Sequence, residues 1–134
     1  MDTSGKDSQG GRILLVDDDP ALGEYLVRVL RSGGHDVAHE LDSESALSRV
    51  REDQWDLLIT DIELPGMSGL ELLERVSEVA PGLPVAVLTG HPSVDYAVTA
   101  LRRDAAEFLM KPVSRGDLLA KAGELIALLE RTTR

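Results

Sequence analysis

Short apolar runs alternate along the chain with longer segments in which apolar residues recur at helical spacing. The short runs predict five β-strands, at residues 12–16, 36–41, 55–60, 84–89 and 107–110. The longer segments predict five helices: one from Pro20 to the Gly33-Gly34 pair, one at about 43–53, one from Leu70 that stops before Pro81, one at about 93–104, and a last one through Leu118 to Leu129. The second strand is the least apolar and is expected nearer a sheet edge.

Strict alternation of strands and helices through short links predicts parallel βα units with helices on both sheet faces. No linker and no second domain fit into 134 residues. Residues 1–11 are polar and rich in Gly and Ser, so we expect a disordered tail there. The folded domain is expected to span 12–130, and 131–134 to form its C-terminal end or the start of a linker.

Composition narrows the function classes. Lys and Arg total 14 and Asp and Glu total 24, a net charge of −10, which disfavours direct nucleic-acid binding and favours cations and basic partners. The chain has no cysteine, which excludes disulfides, zinc–thiolate sites and thiol catalysis. No apolar run approaches the roughly 20 residues of a membrane span, and no signal-peptide core is present, so we expect a cytoplasmic protein.

Polar residues with distinct chemistry follow four of the five predicted strands. Asp17-Asp18 follow the first, Asp61 the third, Thr89 the fourth and Lys111 the fifth. Ligands of open parallel sheets bind at the carboxyl ends of the strands. These side chains are therefore expected to meet at one edge. Asp19, the third acid of its run, is expected to cap the first helix instead.

Clustered carboxylates are costly without a cation, and oxygen ligands of this kind suit Mg²⁺. A carboxylate can also act as a nucleophile and form an aspartyl-phosphate. The Lys111 ammonium would neutralise phosphoryl oxygens, the Thr89 hydroxyl would donate to another, and Gly90 would leave room for the group. The pattern predicts a phosphoryl-transfer site.

The chain resembles the receiver domains of two-component response regulators over about residues 11–130. Four motifs carry the resemblance: "LLVDDDP" (14–20), "LLITDIELPGMSGLELL" (57–73), "VAVLTGHPSVDYAV" (85–98) and "AEFLMKPV" (106–113). The resemblance implies a flavodoxin-like, doubly wound fold with strand order 2-1-3-4-5. It also implies a phosphorylation switch that catalyses its own phosphorylation and dephosphorylation, rather than a conventional turnover enzyme.

Site roles follow from the same resemblance. Asp61 would accept the phosphoryl group from a phosphohistidine of a sensor kinase or histidine phosphotransfer protein. Asp18 would bind Mg²⁺ directly, with Mn²⁺ as an alternative, and Asp17 would assist. The backbone carbonyl of Glu63 would be a further metal ligand. Thr89 and Lys111 would contact phosphoryl oxygens, and the Lys111–Pro112 peptide bond would be cis.

Further roles concern signalling. Phe108 falls at the family's switch aromatic, and Glu63 and His91 fall at positions that tune the lifetime of the phosphoryl group. The output face would comprise the fourth predicted helix, the fifth strand and the last helix, and it is a candidate homodimer interface. The exposed side of the first helix, with Tyr25, would meet the partner kinase. His35 and His39 are expected at the surface, far from the acidic edge.

Two alternatives stay open from the residues themselves. A haloacid-dehalogenase-like, Mg²⁺-dependent phosphohydrolase also uses an Asp at a first strand end, although Ala21 departs from that family's motif and the chain is short for it. An inert pseudo-receiver that serves only as an interaction module is the other. A dinucleotide-binding fold is excluded because no G-x-G-x-x-G follows the first strand.

Overall fold

Five parallel strands form one sheet in the order β2-β1-β3-β4-β5 in the computed structural model, which describes residues 10–90 and 105–132. The elements are β1 (Arg12–Val16), α1 (Pro20–Ser32), β2 (Asp36–Glu40), α2 (Ser43–Glu52), β3 (Leu57–Asp61), α3 (Gly69–Val79), β4 (Val85–Thr89), β5 (Glu107–Met110) and α4 (Arg115–Thr132). The predicted strand order, and the placing of β2 at an edge, are confirmed. The predicted helix at 93–104 and most of the predicted tail lie outside the described residues.

The strand register brings the polar strand ends together. Val16 pairs with Thr60, so Asp17 and Asp61 are neighbours at the end of the β1–β3 pair. Thr89 pairs with Met110 in β5, and Lys111 is the next residue. The parallel sheet thus gathers residues from four chain segments at one edge, as the sequence predicted.

Helices cover both faces of the sheet, because successive strand side chains point to opposite faces and both sets are apolar. Leu14 and Val16 pack with residues of α2 and α3 in one core. Ile13 and Leu15 pack with residues of α1 and α4 in the other. Among the described residues, no helix is both long and apolar enough to cross a bilayer.

Side chains cap the N-termini of all four described helices, and the Ser114 hydroxyl caps α4 by accepting from the Asp117 amide at 3.0 Å. The Asp19 carboxylate accepts hydrogen bonds from the Ala21 and Leu22 backbone amides at 3.0 and 3.2 Å, and Pro20 is the first helical residue. Asp42 and Ser68 cap α2 and α3 in the same way. The predicted capping role of Asp19 is therefore confirmed.

The expectation that His35 is a surface residue is wrong. Its side chain is buried in the turn before β2, and its Nδ1 accepts a hydrogen bond from the Gly11 backbone amide at 3.1 Å. Accepting through Nδ1 requires the neutral ring. Burial accordingly lowers the pKa of His35 below its ordinary value of 6.5.

Lowering the pH should therefore destabilise the protein through His35. Because the folded-state pKa is lowered, the unfolded chain binds a proton that the folded chain does not, between pH 6.5 and that lower value. This penalty is absent above pH 6.5 and grows as the pH falls, with a slope of at most about 1.4 kcal/mol per pH unit. His35→Asn offers an amide oxygen to Gly11 and does not titrate. Urea unfolding from pH 8 to pH 5 should show that the free energy of unfolding falls more steeply for the wild type than for the variant. Parallel curves for the two proteins would contradict the role assigned to His35.

Candidate functional site

Three carboxylates meet at the carboxyl end of β1 and β3. Oxygen atoms of Asp17, Asp18 and Asp61 lie within 4.8 Å of one another. Asp17 is fully buried and Asp61 is 6% exposed, whereas Asp18 is exposed to solvent. Two buried negative charges at this distance require a cation or a strong set of hydrogen-bond donors.

Lys111 supplies part of that positive charge. Its Nζ lies 2.8 Å from Asp61 Oδ2 and 3.2 Å from Asp17 Oδ2, which joins two residues that are 44 positions apart in the chain. Burial by itself lowers the pKa of Lys111, but the hydrogen bond and charge of Asp61, followed by those of Asp17, outweigh it and raise the pKa above its ordinary value. Lys111 therefore stays charged at neutral pH and faces the carboxylates as an ammonium.

The backbone amide, the backbone carbonyl and the carboxylate of Asp17 all make hydrogen bonds. Its backbone amide donates to the Glu40 carbonyl at 3.1 Å, and its Oδ1 accepts from the Asp19 amide at 2.9 Å. Its carbonyl lies 2.9 Å from His39 Nε2. A carbonyl only accepts, so Nε2 carries the proton and donates. The expectation that His39 lies far from the acidic edge is wrong, because β2 pairs directly with β1 and places its side chain beside Asp17.

The start of α3 packs against the backbone of Asp61 and Ile62. The Gly69 amide donates to the Ile62 carbonyl at 2.8 Å, and a Cβ on Gly69 would overlap the Asp61 carbonyl. Only glycine therefore allows the helix to begin this close to the strand end. On the other side, the Glu63 amide donates to Asp61 Oδ1 at 3.2 Å. The role of Gly69 was not predicted from the sequence, because the need for glycine arises from its close approach to the Asp61 carbonyl in the folded chain.

Thr89 and Lys111 come together as predicted. Thr89 is fully buried at the end of β4, and its carbonyl accepts a hydrogen bond from the Lys111 amide at 2.7 Å. The Lys111–Pro112 peptide bond is cis, the conformation that the resemblance implied.

The remaining candidates are less closely associated with the carboxylates. Phe108 lies opposite Val87 in the β4–β5 pair, half-buried against the core beneath α2 and α3. The Glu63 side chain is exposed. His91 lies outside the described residues.

The donor set fits a small, hard cation. Carboxylate oxygens are the ligands that Mg²⁺ prefers, and Mg²⁺ usually keeps several waters. Asp18 and Glu63 border an open cavity of about 510 Å³, which leaves room for those waters. Three carboxylates opposed by one ammonium also leave negative charge to be neutralised. Asp17, Asp18 and Asp61 would hold the cation.

The five-stranded parallel sheet and the acids, hydroxyl and ammonium at the carboxyl ends of its strands can be compared with known protein families. The pattern of the response regulator receiver domain family matches residues 13–123. The chain belongs to the response regulator receiver domain family. Members of this family in two-component systems generally bind Mg²⁺ at an acidic pocket and interact with sensor kinases.

Sequence similarity to individual response regulators supports this family assignment. The chain is 40% identical over 108 residues to the response regulator protein FleR of Pseudomonas aeruginosa, and 40% identical over 115 residues to the DNA-binding response regulator MtrA of Mycolicibacterium smegmatis. These matches cover 81% and 86% of this chain, but only 23% and 50% of those proteins. The chain thus spans half or less of their length.

A solved structure agrees as well. The CheY-like response regulator receiver domain protein of Methanospirillum hungatei superposes with a TM-score of 0.87 at 34% identity, and the match covers 90% of this chain and 97% of that one. The family assignment decides against the haloacid-dehalogenase alternative. The inert pseudo-receiver remains the competing interpretation.

Proposed function

We propose that this domain accepts a phosphoryl group on Asp61, in an Mg²⁺-dependent reaction, from a phosphohistidine of a sensor kinase or phosphotransfer protein. One observation carries the proposal: the Lys111 ammonium bridges Asp61 and Asp17 beside a third carboxylate, Asp18. An inert module would not need two buried acids held to one lysine, an arrangement that costs desolvation energy.

The transfer itself is a displacement at phosphorus. An Asp61 carboxylate oxygen attacks, the new P–O bond forms, and the P–N bond to the donor imidazole breaks. The imidazole keeps the electron pair of that bond and takes up a proton. Lys111, already in contact with Asp61, neutralises charge on the phosphoryl oxygens, and the Thr89 hydroxyl donates to another oxygen. Bound Mg²⁺ would supply further neutralisation of the carboxylates and phosphoryl oxygens.

An apolar cavity beside Lys111 supports the proposed partner. It has a volume of about 480 Å³ and lies between α1 and the segment after β5. Tyr25 of α1, with 44% of its surface exposed, and Pro112 are among its lining residues. A partner helix that inserts an apolar side chain here would place its phosphohistidine within reach of Asp61.

Signalling roles are further parts of the proposal. Phe108 would change its packing when Thr89 turns toward the phosphoryl group, and Glu63, beside Asp61, would tune its hydrolysis together with His91. Homodimerisation through the predicted 93–104 helix, β5 and α4 stays a prediction, as do the cytoplasmic location and the absence of direct nucleic-acid binding. DNA binding by full-length relatives is a property of those proteins.

Acetyl phosphate provides a test that needs no partner. Protein incubated with it in MgCl₂ should gain the mass of one phosphoryl group, and the adduct should be labile to hydroxylamine, as an acyl phosphate is. The same incubation in EDTA should leave the mass unchanged. A folded protein that gains no mass in MgCl₂ would be an inert module, and the proposed function would fail.

A further inference from the structure

The His39 ring packs directly against Gly23 of α1, where a Cβ atom could not fit without displacing the ring. The ring projects from β2 across the start of α1, and a Cβ built on Gly23 would overlap three of its atoms, Cε1, Nε2 and Nδ1. Gly23 is itself buried in the helix, where glycine is otherwise unfavourable relative to alanine. A local penalty of this kind needs a reason, and the room made for the His39 ring is the contact that accounts for it.

The ring uses that room to reach Asp17. Its Nε2–H donates to the Asp17 carbonyl at 2.9 Å, while the Glu40 carbonyl, one residue along β2, accepts from the Asp17 amide at 3.1 Å. Residues of β2 thus hold both the backbone amide and the backbone carbonyl of Asp17. The carboxylate of Asp17 then projects toward Asp18, Asp61 and Lys111 with little freedom.

We propose that His39 is a positioning residue for the cation site: seated against Gly23, it holds the Asp17 backbone so that the carboxylates of Asp17, Asp18 and Asp61 are preorganised for Mg²⁺. The inference rests on the proposed function, since it concerns the same site. Groups that orient a metal ligand from behind typically change metal affinity by about tenfold or more when they are removed.

Two different substitutions break the same contact. His39→Leu removes the donor. Gly23→Ala keeps the donor but places a methyl group where the ring lies, so the ring must move away from the Asp17 carbonyl. We expect each to weaken Mg²⁺ binding by about tenfold. The double variant should be no weaker than His39→Leu alone, because the added methyl group then has no ring to displace.

Affinity is measured with MgCl₂ alone, from the rise in the free energy of unfolding with Mg²⁺ concentration, so that no phosphorylation is involved. His39→Gln restores an N–H donor and should recover most of the wild-type affinity. Gly123→Ala is the matched control: it is also a helix glycine, and a Cβ there meets nothing within 4 Å. It should raise metal-free stability through helix propensity and leave the Mg²⁺ affinity unchanged.

The outcomes separate the possibilities. A purely structural His39 would shift the stability of the metal-free and Mg²⁺-bound protein equally, so wild-type Mg²⁺ affinity in His39→Leu or Gly23→Ala overturns the inference and leaves the proposed function standing. Additive losses in the double variant would also overturn it. If the wild type itself gains no stability from Mg²⁺, the Mg²⁺-dependent function fails and the inference falls with it.

Discussion

Asp61→Asn should abolish phosphorylation by acetyl phosphate while leaving the domain folded. The amide oxygen of asparagine carries no full negative charge and cannot form an acyl phosphate, so the nucleophile is lost outright. The fold should survive because Asn has nearly the same size, and because Lys111 keeps its contact with Asp17 at 3.2 Å. Intact mass after incubation in MgCl₂ measures the result, and circular dichroism confirms folding.

Asp36→Asn is the control for this experiment. It makes the same chemical change at an exposed aspartate at the start of β2, the opposite end of the sheet, and should be phosphorylated like the wild type. An Asp61→Asn protein that still gains an acid-stable or hydroxylamine-labile phosphoryl group would show that another residue is the acceptor. Asp18, the exposed acid of the cluster, would be the first to examine.

Lys111→Met should cost on the order of 3 kcal/mol of unfolding free energy in EDTA, because it leaves the buried Asp17 and Asp61 carboxylates without their ammonium partner. Mg²⁺ should restore part of that loss, since the cation then supplies the missing charge. The variant should therefore gain more stability from MgCl₂ than the wild type does. Urea unfolding in EDTA and in MgCl₂ measures both effects.

Lys121→Met is the matched control for this comparison. Lys121 also contacts two carboxylates, Glu107 at 3.0 Å and Glu124 at 3.6 Å, but on the exposed surface between β5 and α4. Its loss should have little effect, and MgCl₂ should not change that effect. A Lys111→Met protein with wild-type stability in EDTA would refute the charge-balancing role. An equal Mg²⁺ gain in both Lys111→Met and wild type would refute the substitution of one cation by the other.

The principal candidate site residues could be predicted from the sequence because they stand at strand ends, and a strand end is recognisable where an apolar run stops. Asp17 and Asp61 mark such stops, and both predicted strands end within one residue of the observed ones. Asp19 and Pro20 were also readable, since helix capping depends only on neighbouring backbone amides. Local patterns thus sufficed wherever the deciding interaction was local.

Contacts made across strands and helices were not readable in this way. Trp55 is one example: its ring is flanked by the guanidinium groups of Arg12 and Arg49, at 4.5 and 5.4 Å from the ring centroid. Arg12 lies in β1, 43 residues before Trp55 in the segment that precedes β3, so no short-range pattern along the chain predicts the contact. Gly69 is another, because its need for glycine arises from the Asp61 carbonyl that it approaches.

The sequence by itself determined the alternation of strands and helices and the polar residues at the strand ends, and hence the chemistry proposed for this domain. Period, propensity and residue type are properties of short segments. Only the tertiary structure decided which side chains support that chemistry. Pairing of β2 with β1 brought His39 to Asp17, and the path of α1 required Gly23 to admit its ring. These contacts depend on the relative placement of whole elements, which hydrophobic packing of two cores selects and no local pattern encodes.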